Sequence, residues 1–257
     1  AAVGELVGVN FDPSHMLWMG GDPLRAVRAM AGVIYHVHAK DTRIDLYNSE
    51  INTVLETKPN DDVLNRSWNY VALGYGHNEI WWRDFVSLLR QDPEKITALV
   101  PLECASAATM MALGADEIRM GPLAYLTAVD TSLTHALSPV DRNNNAVSVS
   151  QDELNRVLRL WKESRGGGEA NPYPSLYHQL HPLVFGAIDR ASSLSIKIFE
   201  EILSYHVTDT KERRRISKHL NSAYPSHGYP IMLREAKRIG LKVGEIDPAL
   251  NDLLIDL

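Results

Sequence analysis

The sequence predicts an α/β fold in which two strand–helix patterns follow one another along the chain. Short apolar runs alternate with capped or amphipathic helical stretches up to about residue 91, and the alternation starts again at residue 96. The part after residue 151 is mainly helical in pattern. Such alternation is typical of parallel sheets that carry their chemistry at the carboxyl ends of the strands.

The first segment contains two strands and two helices, joined by a long connection. Asp22 and Pro23 are a helix cap and a first helical residue by type, and an amphipathic stretch follows Asn78. The polar connection is too long for a plain loop, which favours a functional loop. The predicted elements are strands at 6–11 and 33–38, a helix at 23–30, an irregular loop at 40–67 and a helix at 78–90.

The second segment repeats the order of strand and helix before it becomes helical. A run of glycines and prolines near its middle predicts a flexible linker or flap, and Gly240 is typical of a helix end. The predicted elements are strands at 96–102, 117–120 and 124–129, helices at 105–113, 152–163, 183–206, 211–220 and 233–239, a polar loop at 138–151 and the linker at 166–174.

The composition excludes several classes of function. A formal net charge of −6 gives no electrostatic reason to expect nucleic-acid binding, and the basic run 211–215 fits a solvated helix face. The single cysteine, Cys104, fits a reducing compartment. Neither a membrane span nor a basic-then-apolar signal pattern is visible. We therefore expect a cytoplasmic protein without a membrane span.

A first set of candidate residues lies at the ends of the first two strands. Asp12 and His15 follow one strand and His38 ends the next, so a carboxylate and two imidazoles are placed to bind Mn²⁺, Mg²⁺, Co²⁺ or Zn²⁺. Such a metal can polarise a sugar carbonyl or enediolate oxygen. The alternative is that Asp12 and His15 only cap the next helix or turn.

Residues 7–91 resemble the sugar phosphate isomerase/epimerase family, the xylose-isomerase-like TIM barrels. The matching pieces are Val9-Asn10-Phe11-Asp12-Pro13-Ser14-His15, Tyr35-His36-Val37-His38-Ala39-Lys40-Asp41-Thr42 and Gly74-Tyr75-Gly76-His77 before Trp81-Trp82. The resemblance implies that Asp12 and His38 are metal ligands and that His15 touches substrate or metal. It further implies pocket positions for His36, Lys40, Asp41 and His77.

The same resemblance implies two further glutamate ligands for which this segment has no position. A complete (β/α)₈ barrel needs about 250 residues, and the segment offers roughly a third of one. We therefore expect a partial TIM-barrel-like βα segment with an incomplete metal site.

A second candidate is Ser106, which lies among alanines at a predicted turn from strand to helix. Small neighbours let a substrate approach the backbone, and a serine in such a place becomes a nucleophile when a base activates it. A helix N-terminus also favours a developing oxyanion. The alternative is an ordinary helix cap, for which serine is a common residue.

Residues 94–257 resemble the serine dehydrogenase proteinase family, a Clp-class, crotonase-like group of serine peptidases. The matching pieces are Val100-Pro101, Cys104-Ala105-Ser106-Ala107-Ala108-Thr109, Ala115-Asp116-Glu117-Ile118, Leu126-Thr127-Ala128-Val129-Asp130, Ser226-His227-Gly228-Tyr229-Pro230-Ile231, Glu235-Ala236-Lys237 and Gly240-Leu241. The resemblance implies a Clp- or crotonase-like α/β segment with a helical C-terminal part and Ser106 as nucleophile.

The general base of this second site stays open between several residues. His135, with Asp130 nearby, and His227 are ranked level, and Lys162 and His181 are further candidates. The resemblance also implies a glycine-rich oxyanion turn upstream of Ser106, which the sequence lacks. Loss of one oxyanion donor typically costs about 10²–10³ in rate.

We therefore expect two domains, an isomerase-like fragment at 1–92 and a Clp-class domain at 93–257, meeting near residues 91–96. The favoured function is a serine-peptidase-like hydrolase acting on a peptide. The alternatives are a metal-dependent sugar isomerase or epimerase, and a catalytically incomplete fusion that acts as an assembly module. The serine site needs no cofactor. Clp-class enzymes assemble and open strand edges need cover, so a homo-oligomer is expected.

Overall fold

The structure, a computed structural model, describes residues 7–91, 95–129, 132–164, 171 and 173–255. These residues form a mixed α/β architecture with several small sheets and, within the described ranges, no closed barrel. The helices are α1 (Pro13–Trp18), α2 (Pro23–Ala29), α3 (Leu46–Asn52), α4 (Glu79–Leu89), α5 (Ala107–Ala112), α6 (Gln151–Ser164), α7 (Tyr173–Tyr177), α8 (Pro182–Leu203), α9 (Thr210–Ser222), α10 (Leu233–Arg238) and α11 (Pro248–Ile255).

The strands are short and lie in five separate groups. They are β1 (Val9–Phe11), β2 (Ile34–Val37), β3 (Asp41–Ile44), β4 (Trp68–Val71), β5 (Thr97–Val100), β6 (Glu103–Cys104), β7 (Glu117–Met120), β8 (Tyr125–Leu126), β9 (Ser132–Leu133), β10 (Val149–Ser150), β11 (Ile231–Met232) and β12 (Val243–Glu245). Strands β1 and β2 pair in parallel, and β12-β7-β5 form a parallel sheet. Strands β3–β4 and β9–β10 are antiparallel, and β11-β8-β6 is mixed.

Local signals in the sequence predict several elements correctly. Helix α2 begins at Pro23 with the Asp22 carboxylate accepting the backbone N–H groups of Leu24 and Arg25. Helix α4 is capped by Asn78, whose side chain accepts the Trp81 N–H. Strand β7 has the predicted bounds, and both β1 and β2 lie inside their predicted ranges. The coarse α/β prediction is therefore confirmed.

The prediction of an irregular loop at 40–67 is wrong for its first part. Strand β3 and helix α3 occupy it, and β3 pairs with β4 at a register of Asp41 opposite Val71. Helix α1 was also missed, although Asp12 caps it and Pro13 opens it. Strand β3 is hard to predict because its partner β4 is distant in sequence. Helices α1 and α3 are hard to predict because each has fewer than two turns.

Helix α4 packs the first segment against the second. Its Trp82 and Phe85 are fully buried, and they belong to one hydrophobic cluster that includes Phe11 on one side and Met110 and Phe199 on the other. Helix α4 contacts α2, α5 and α8. A single core of this kind stabilises both segments through the same buried apolar area.

Helices α4 and α5 run side by side in the same direction. Near their starts, a Cβ on Gly74 would lie 2.9 Å from the Cβ of Ala107, and Gly74 has φ +90, where a side chain is strained. Near their ends, a Cβ on Gly114 would lie 2.5 Å from the Val86 side chain. The turn before α4 and the turn before α5 are therefore neighbours.

The predicted junction and linker fall partly on residues that the structure does not describe. Residues 92–94 of the junction, Asp130, residues 166–170 of the linker and Pro172 lie outside the described ranges. On either side of 92–94, Arg90 and Ile96 both bind Asp116. Within the described residues, no helix combines the length and the apolar character needed to cross a bilayer.

Candidate functional site

Ser106 lies at the N-cap position of α5 in a backbone conformation that serine rarely adopts. Its φ is 50° and its ψ is −113°, a region that favours glycine. Its side chain makes no capping hydrogen bond, so the capping alternative for this serine is not met. Strained residues of this type cluster at functional sites, where the surrounding structure holds them in place.

Two threonines hold the Ser106 turn. The Ser106 N–H donates to Thr127 Oγ1 at 2.9 Å, and the Thr127 hydroxyl donates to the Ala128 carbonyl at 3.1 Å. Thr109 Oγ1 accepts the Thr127 N–H and donates to the Cys104 carbonyl at 2.7 Å. Thr109 and Thr127 are buried, so this network fixes the turn from the core side. Thr127 lies in the motif Leu126-Thr127-Ala128-Val129-Asp130, but no pattern in that motif predicts this contact with Ser106.

Helix α5 has six residues and is shorter than the predicted 105–113. A single turn and a half carries only a small macrodipole, so we assign no anion stabilisation to the helix start. Cys104, two residues before Ser106, is buried, and burial raises the pKa of its thiol to about 12. Almost none of this thiol is ionised near neutral pH, so Cys104 is a poor nucleophile in the folded protein.

Two of the predicted bases bind their own backbone through Nδ1. His135 Nδ1 accepts the Leu137 N–H at 3.0 Å, and His181 Nδ1 accepts the Leu183 N–H at 3.2 Å as the cap of α8. A neutral ring that accepts at Nδ1 carries its proton on Nε2, so neither nitrogen is a free acceptor. This geometry favours a structural role for both histidines.

The remaining predicted bases are exposed. His227 lies in the turn before β11 and Lys162 lies on α6, and both are in contact with solvent. Asp130, the carboxylate expected near His135, lies outside the described residues. Among the described residues, no hydrogen bond or ion pair joins His135 or Lys162 to Ser106.

Asp12 caps helix α1 and also binds Lys40. Its Oδ1 accepts the Ser14 N–H at 2.9 Å and the Ser14 hydroxyl, while its Oδ2 lies 3.1 Å from Lys40 Nζ and 3.5 Å from His15 Nε2. Burial raises the pKa of Asp12, but the bonds from Ser14 and Lys40 outweigh it and hold the pKa below its usual value. Asp12 therefore caps α1, as the alternative interpretation of this residue expects, and it is also paired with Lys40 and His15.

His36 lies in β2 and His38 directly follows that strand, and both make contacts with residues other than Asp12. His38 Nε2 lies 3.1 Å from the Asn10 amide nitrogen, and the His36 and His38 rings meet edge to face at 5.0 Å. Burial and the neighbouring His38 lower the pKa of His36. Among the described residues, no three His, Cys, Asp or Glu side chains come together as a metal-binding set.

An aromatic row runs beside the Asp12 cluster. The Trp18 and Trp68 rings stack at 4.6 Å, Tyr70 meets Trp68 edge to face, and Lys40 Nζ lies 4.1 Å above the Tyr70 ring. The Tyr70 hydroxyl lies 2.9 Å from His15 Nδ1. Partly exposed aromatic faces beside polar groups are typical of binding sites for small polar molecules.

Asp41 differs from the expectation that it lines a pocket, because its side chain is 0% exposed. It organises the turn before α4. Its Oδ1 lies 2.8 Å from His77 Nδ1, and the carboxylate also accepts the backbone N–H groups of Thr42, Gly74, Gly76 and His77 and the Trp82 indole N–H. Burial raises the pKa of Asp41, but the His77 ring and these N–H groups hold it below its usual value.

Comparison with known proteins gives one partial likeness. No protein-family model matches the chain. A Bacillus subtilis (strain 168) protein with the name "Uncharacterized protein YfiH" is 53% identical over 89 residues, which are 35% of this chain and 28% of that protein. The chain thus spans less than a third of that relative's length.

Proposed function

We propose that this chain is a serine-peptidase-like hydrolase with Ser106 as its nucleophile. The observation that carries the proposal is the Ser106 backbone at φ 50° and ψ −113°, held by Thr127 and Thr109, with a side chain free of any capping bond. The strained turn from strand to helix that exposes the nucleophile of α/β hydrolases has the same character. An ordinary helix cap has no need of such a conformation.

The reaction is acyl transfer in two steps. The Ser106 hydroxyl loses its proton to a base and its Oγ attacks the substrate carbonyl, and the C–N or C–O bond then breaks as the leaving group takes up that proton. Water hydrolyses the acyl-serine by the same route in reverse. Because the sequence lacks the glycine-rich oxyanion turn, activated esters and phosphonates suit this site better than unactivated amides.

The same proposal includes a specific fold for each of the two segments. A three-stranded parallel sheet β12-β7-β5 with α5 following β6 supports a Clp- or crotonase-like arrangement for residues 93–257. The parallel pair β1–β2, with helices α1 and α2 between the strands, supports a barrel-like βα fragment for residues 1–92.

A fluorophosphonate probe tests the proposed nucleophile. Wild-type protein should acquire one phosphonyl group, which peptide mass spectrometry should locate on Ser106, and Ser106→Ala should acquire none. Ser132→Ala, which removes an exposed serine in β9, is the matched control and should label like wild type. Labelling of wild type and Ser106→Ala to the same extent contradicts the proposal.

A metal-dependent sugar isomerase or epimerase is the second candidate. The observation that favours it is the cluster of Asp12, His15 and Lys40 beside the Trp68 and Tyr70 rings, which combines charged groups with aromatic faces. Calorimetric titration with Mn²⁺ tests it. Micromolar binding that His38→Ala abolishes supports this candidate, and heat equal to dilution heat in wild type contradicts it.

If neither fluorophosphonate labelling nor Mn²⁺ binding is found, the third candidate is a fused chain that lacks a competent site and acts as an assembly module. Self-association is the common feature of that case and of the Clp-class proposal. Helix α3 supports it, because Leu46, Tyr47 and Ile51 expose 73%, 74% and 63% of their surface. Light scattering at working concentration should give a mass above that of one chain, and a single-chain mass contradicts self-association.

A further inference from the structure

We infer that His77, oriented by Asp41, is the general base that activates Ser106, so that the hydrolase site is shared between the two segments. This inference rests on the proposed function. It assigns to His77 and Asp41 a part in the chemistry of a serine that lies about thirty residues after His77 and about sixty-five after Asp41 in sequence. None of the bases expected from sequence is needed for it.

The contact between Asp41 and His77 fixes the tautomer of the imidazole. The ionised carboxylate can only accept, so His77 Nδ1 carries the proton of the 2.8 Å hydrogen bond to Asp41 Oδ1. Nε2 is then the lone-pair nitrogen. This is the arrangement in which a carboxylate orients a histidine base in serine hydrolases, where the carboxylate sets the tautomer and stabilises the imidazolium that forms.

The orientation of this pair is rigid. Asp41 is fully buried and accepts four backbone N–H groups besides the ring, and the His77 ring packs on Trp81 with their centroids 4.7 Å apart. The His77 side chain keeps 27% of its surface exposed. Asp41 is the charged group in contact with the ring. A base held in this way loses little entropy when it accepts a proton.

The fold places the His77 turn beside the Ser106 turn. His77 directly precedes Asn78, the cap of α4, and Ser106 is the N-cap residue of α5. The two helices run side by side, with Gly74 packed on Ala107 at one end and Val86 on Gly114 at the other. His77 and Ser106 therefore lie at the same end of two neighbouring helices.

Both reacting atoms are without a partner in the part of the chain that the structure describes. Neither His77 Nε2 nor Ser106 Oγ makes a hydrogen bond there, whereas His77 Nδ1 is paired with Asp41 and the Ser106 N–H donates to Thr127. Catalytic hydrogen bonds are often long before substrate binds and shorten in the reacting complex. We therefore expect His77 Nε2 and Ser106 Oγ to come within hydrogen-bond distance of each other when substrate binds.

The step with a fluorophosphonate balances as follows. The Ser106 O–H proton moves to His77 Nε2, the Oγ–P bond forms and the P–F bond breaks, so fluoride leaves with the electron pair. The imidazolium then releases its proton to solvent. With an ester or amide, the same proton goes to the leaving oxygen or nitrogen, and a water molecule supplies the next proton when the acyl-serine is hydrolysed.

The rate of fluorophosphonate labelling of Ser106 tests His77. His77→Asn keeps a side-chain N–H close to the Nδ1 position for Asp41 and removes Nε2, so it should fold and lower the labelling rate by about 10²-fold or more, the usual contribution of a general base. The pH dependence of the labelling rate should also differ between wild type and His77→Asn. His178→Gln, a change at an exposed histidine in the turn after α7, is the control with wild-type rate.

A second variant and a rescue keep the test decisive. If His77→Asn does not fold, judged by its thermal transition, then His77→Gln replaces it, and added imidazole should restore labelling in His77→Gly. Wild-type rate and pH dependence in a folded His77 variant overturn the inference and leave the proposed function standing. A loss of rate in His135→Gln with His77→Asn unaffected overturns it as well. No labelling of wild-type Ser106 overturns both proposals together.

Discussion

Arg90 and Asp116 form a two-pronged ion pair that joins the first segment to the second. Arg90 Nη1 lies 2.7 Å from Asp116 Oδ2, and Nη2 lies 3.0 Å from Oδ1. The Ile96 N–H donates to Asp116 Oδ2 at 2.7 Å, so both sides of the predicted junction meet on one carboxylate. Arg90 also lies over the Tyr205 ring at 5.1 Å. A planar guanidinium fits a carboxylate in this way and a lysine does not.

We expect Arg90→Met to lower the free energy of unfolding by about 1.5–3 kcal/mol, the usual contribution of hydrogen bonds to charged groups. The methionine keeps the packing on Tyr205 but leaves Asp116 with only the Ile96 N–H. Urea unfolding at pH 7 measures the change. Arg159→Gln breaks an ion pair with Glu163 in which both side chains are more than half exposed, and it should change stability by less than about 0.5 kcal/mol. If the two substitutions change the free energy of unfolding equally, the Arg90–Asp116 pair stabilises the fold no more than an exposed ion pair does.

The same carboxylate should make the protein sensitive to acid. Arg90 is the main cause that lowers the pKa of Asp116 to about 2 from an ordinary value of 3.8, and the Ile96 N–H adds to it. The folded pKa is below the unfolded one, so the pair contributes its full stability above pH 3.8 and loses it as the pH falls from there to 2. The unfolding free energies of wild type and Asp116→Asn should therefore converge across that interval. A gap that stays constant from pH 7 to pH 2 contradicts the assignment.

The backbone at Ser106 gives a prediction that is independent of activity. Ser106→Gly removes the Cβ from a residue at φ 50°, where strain costs about 1–3 kcal/mol, so it should be more stable than Ser106→Ala by about 1 kcal/mol after the entropy of glycine is subtracted. Thermal unfolding of the two variants measures the difference. Ala105→Gly, at a neighbouring residue without a positive φ, should instead be less stable than wild type. If Ser106→Gly is the less stable of the pair, the turn is unstrained.

The thiol of Cys104 should be inert in the folded protein. It is buried beneath the Ser106 turn, and burial raises its pKa to about 12, so almost no thiolate exists at pH 8. We expect a disulfide reagent such as dithiobis(nitrobenzoate) to modify no thiol in native protein and one thiol in urea. Cys104→Ala gives the blank for both conditions. Fast modification of the native protein would show that the turn opens, and the strain argument for Ser106 would then fail.

The parts of the fold that sequence predicts are those with a local cause. Asp22 with Pro23 starts α2, and Asn78 starts α4, because a cap and the residues it bonds lie within three positions. The pairing of β3 with β4 joins residues about thirty positions apart across a polar loop, and no local pattern records it. Local sequence therefore predicts the helices and strands themselves more readily than it predicts which of them pack or pair with one another.

The same distinction between local and tertiary causes applies to the residues of the candidate site. The residue type and neighbours of Ser106 point to a strand-to-helix turn, but its positive φ depends on Thr127, which follows β8 and is held in turn by Thr109 of α5. Asp41 was expected in a pocket because its motif resembles a pocket motif, and it is buried because four backbone N–H groups converge on it. Burial is a property of the tertiary fold and cannot be derived from a motif.

Lys40 should control whether Asp12 is open to a cation. Its ammonium lies 3.1 Å from Asp12 Oδ2, so it competes with a metal ion for the same oxygen. In water two unit charges at this distance interact by about 1.3 kcal/mol, or about tenfold in affinity. Lys40→Met should therefore raise the affinity of the protein for Mn²⁺ about tenfold in calorimetric titration and move the pKa of Asp12 upward towards its usual value.

Asp12→Asn combined with Lys40→Met supplies the control, because it removes the charge that attracts the ion and should return binding to the wild-type level or below. Unchanged Mn²⁺ affinity in Lys40→Met would mean that the Asp12 cluster is a cap and ion pair only, which would count against the isomerase candidate and leave Ser106 as the site with chemistry to perform.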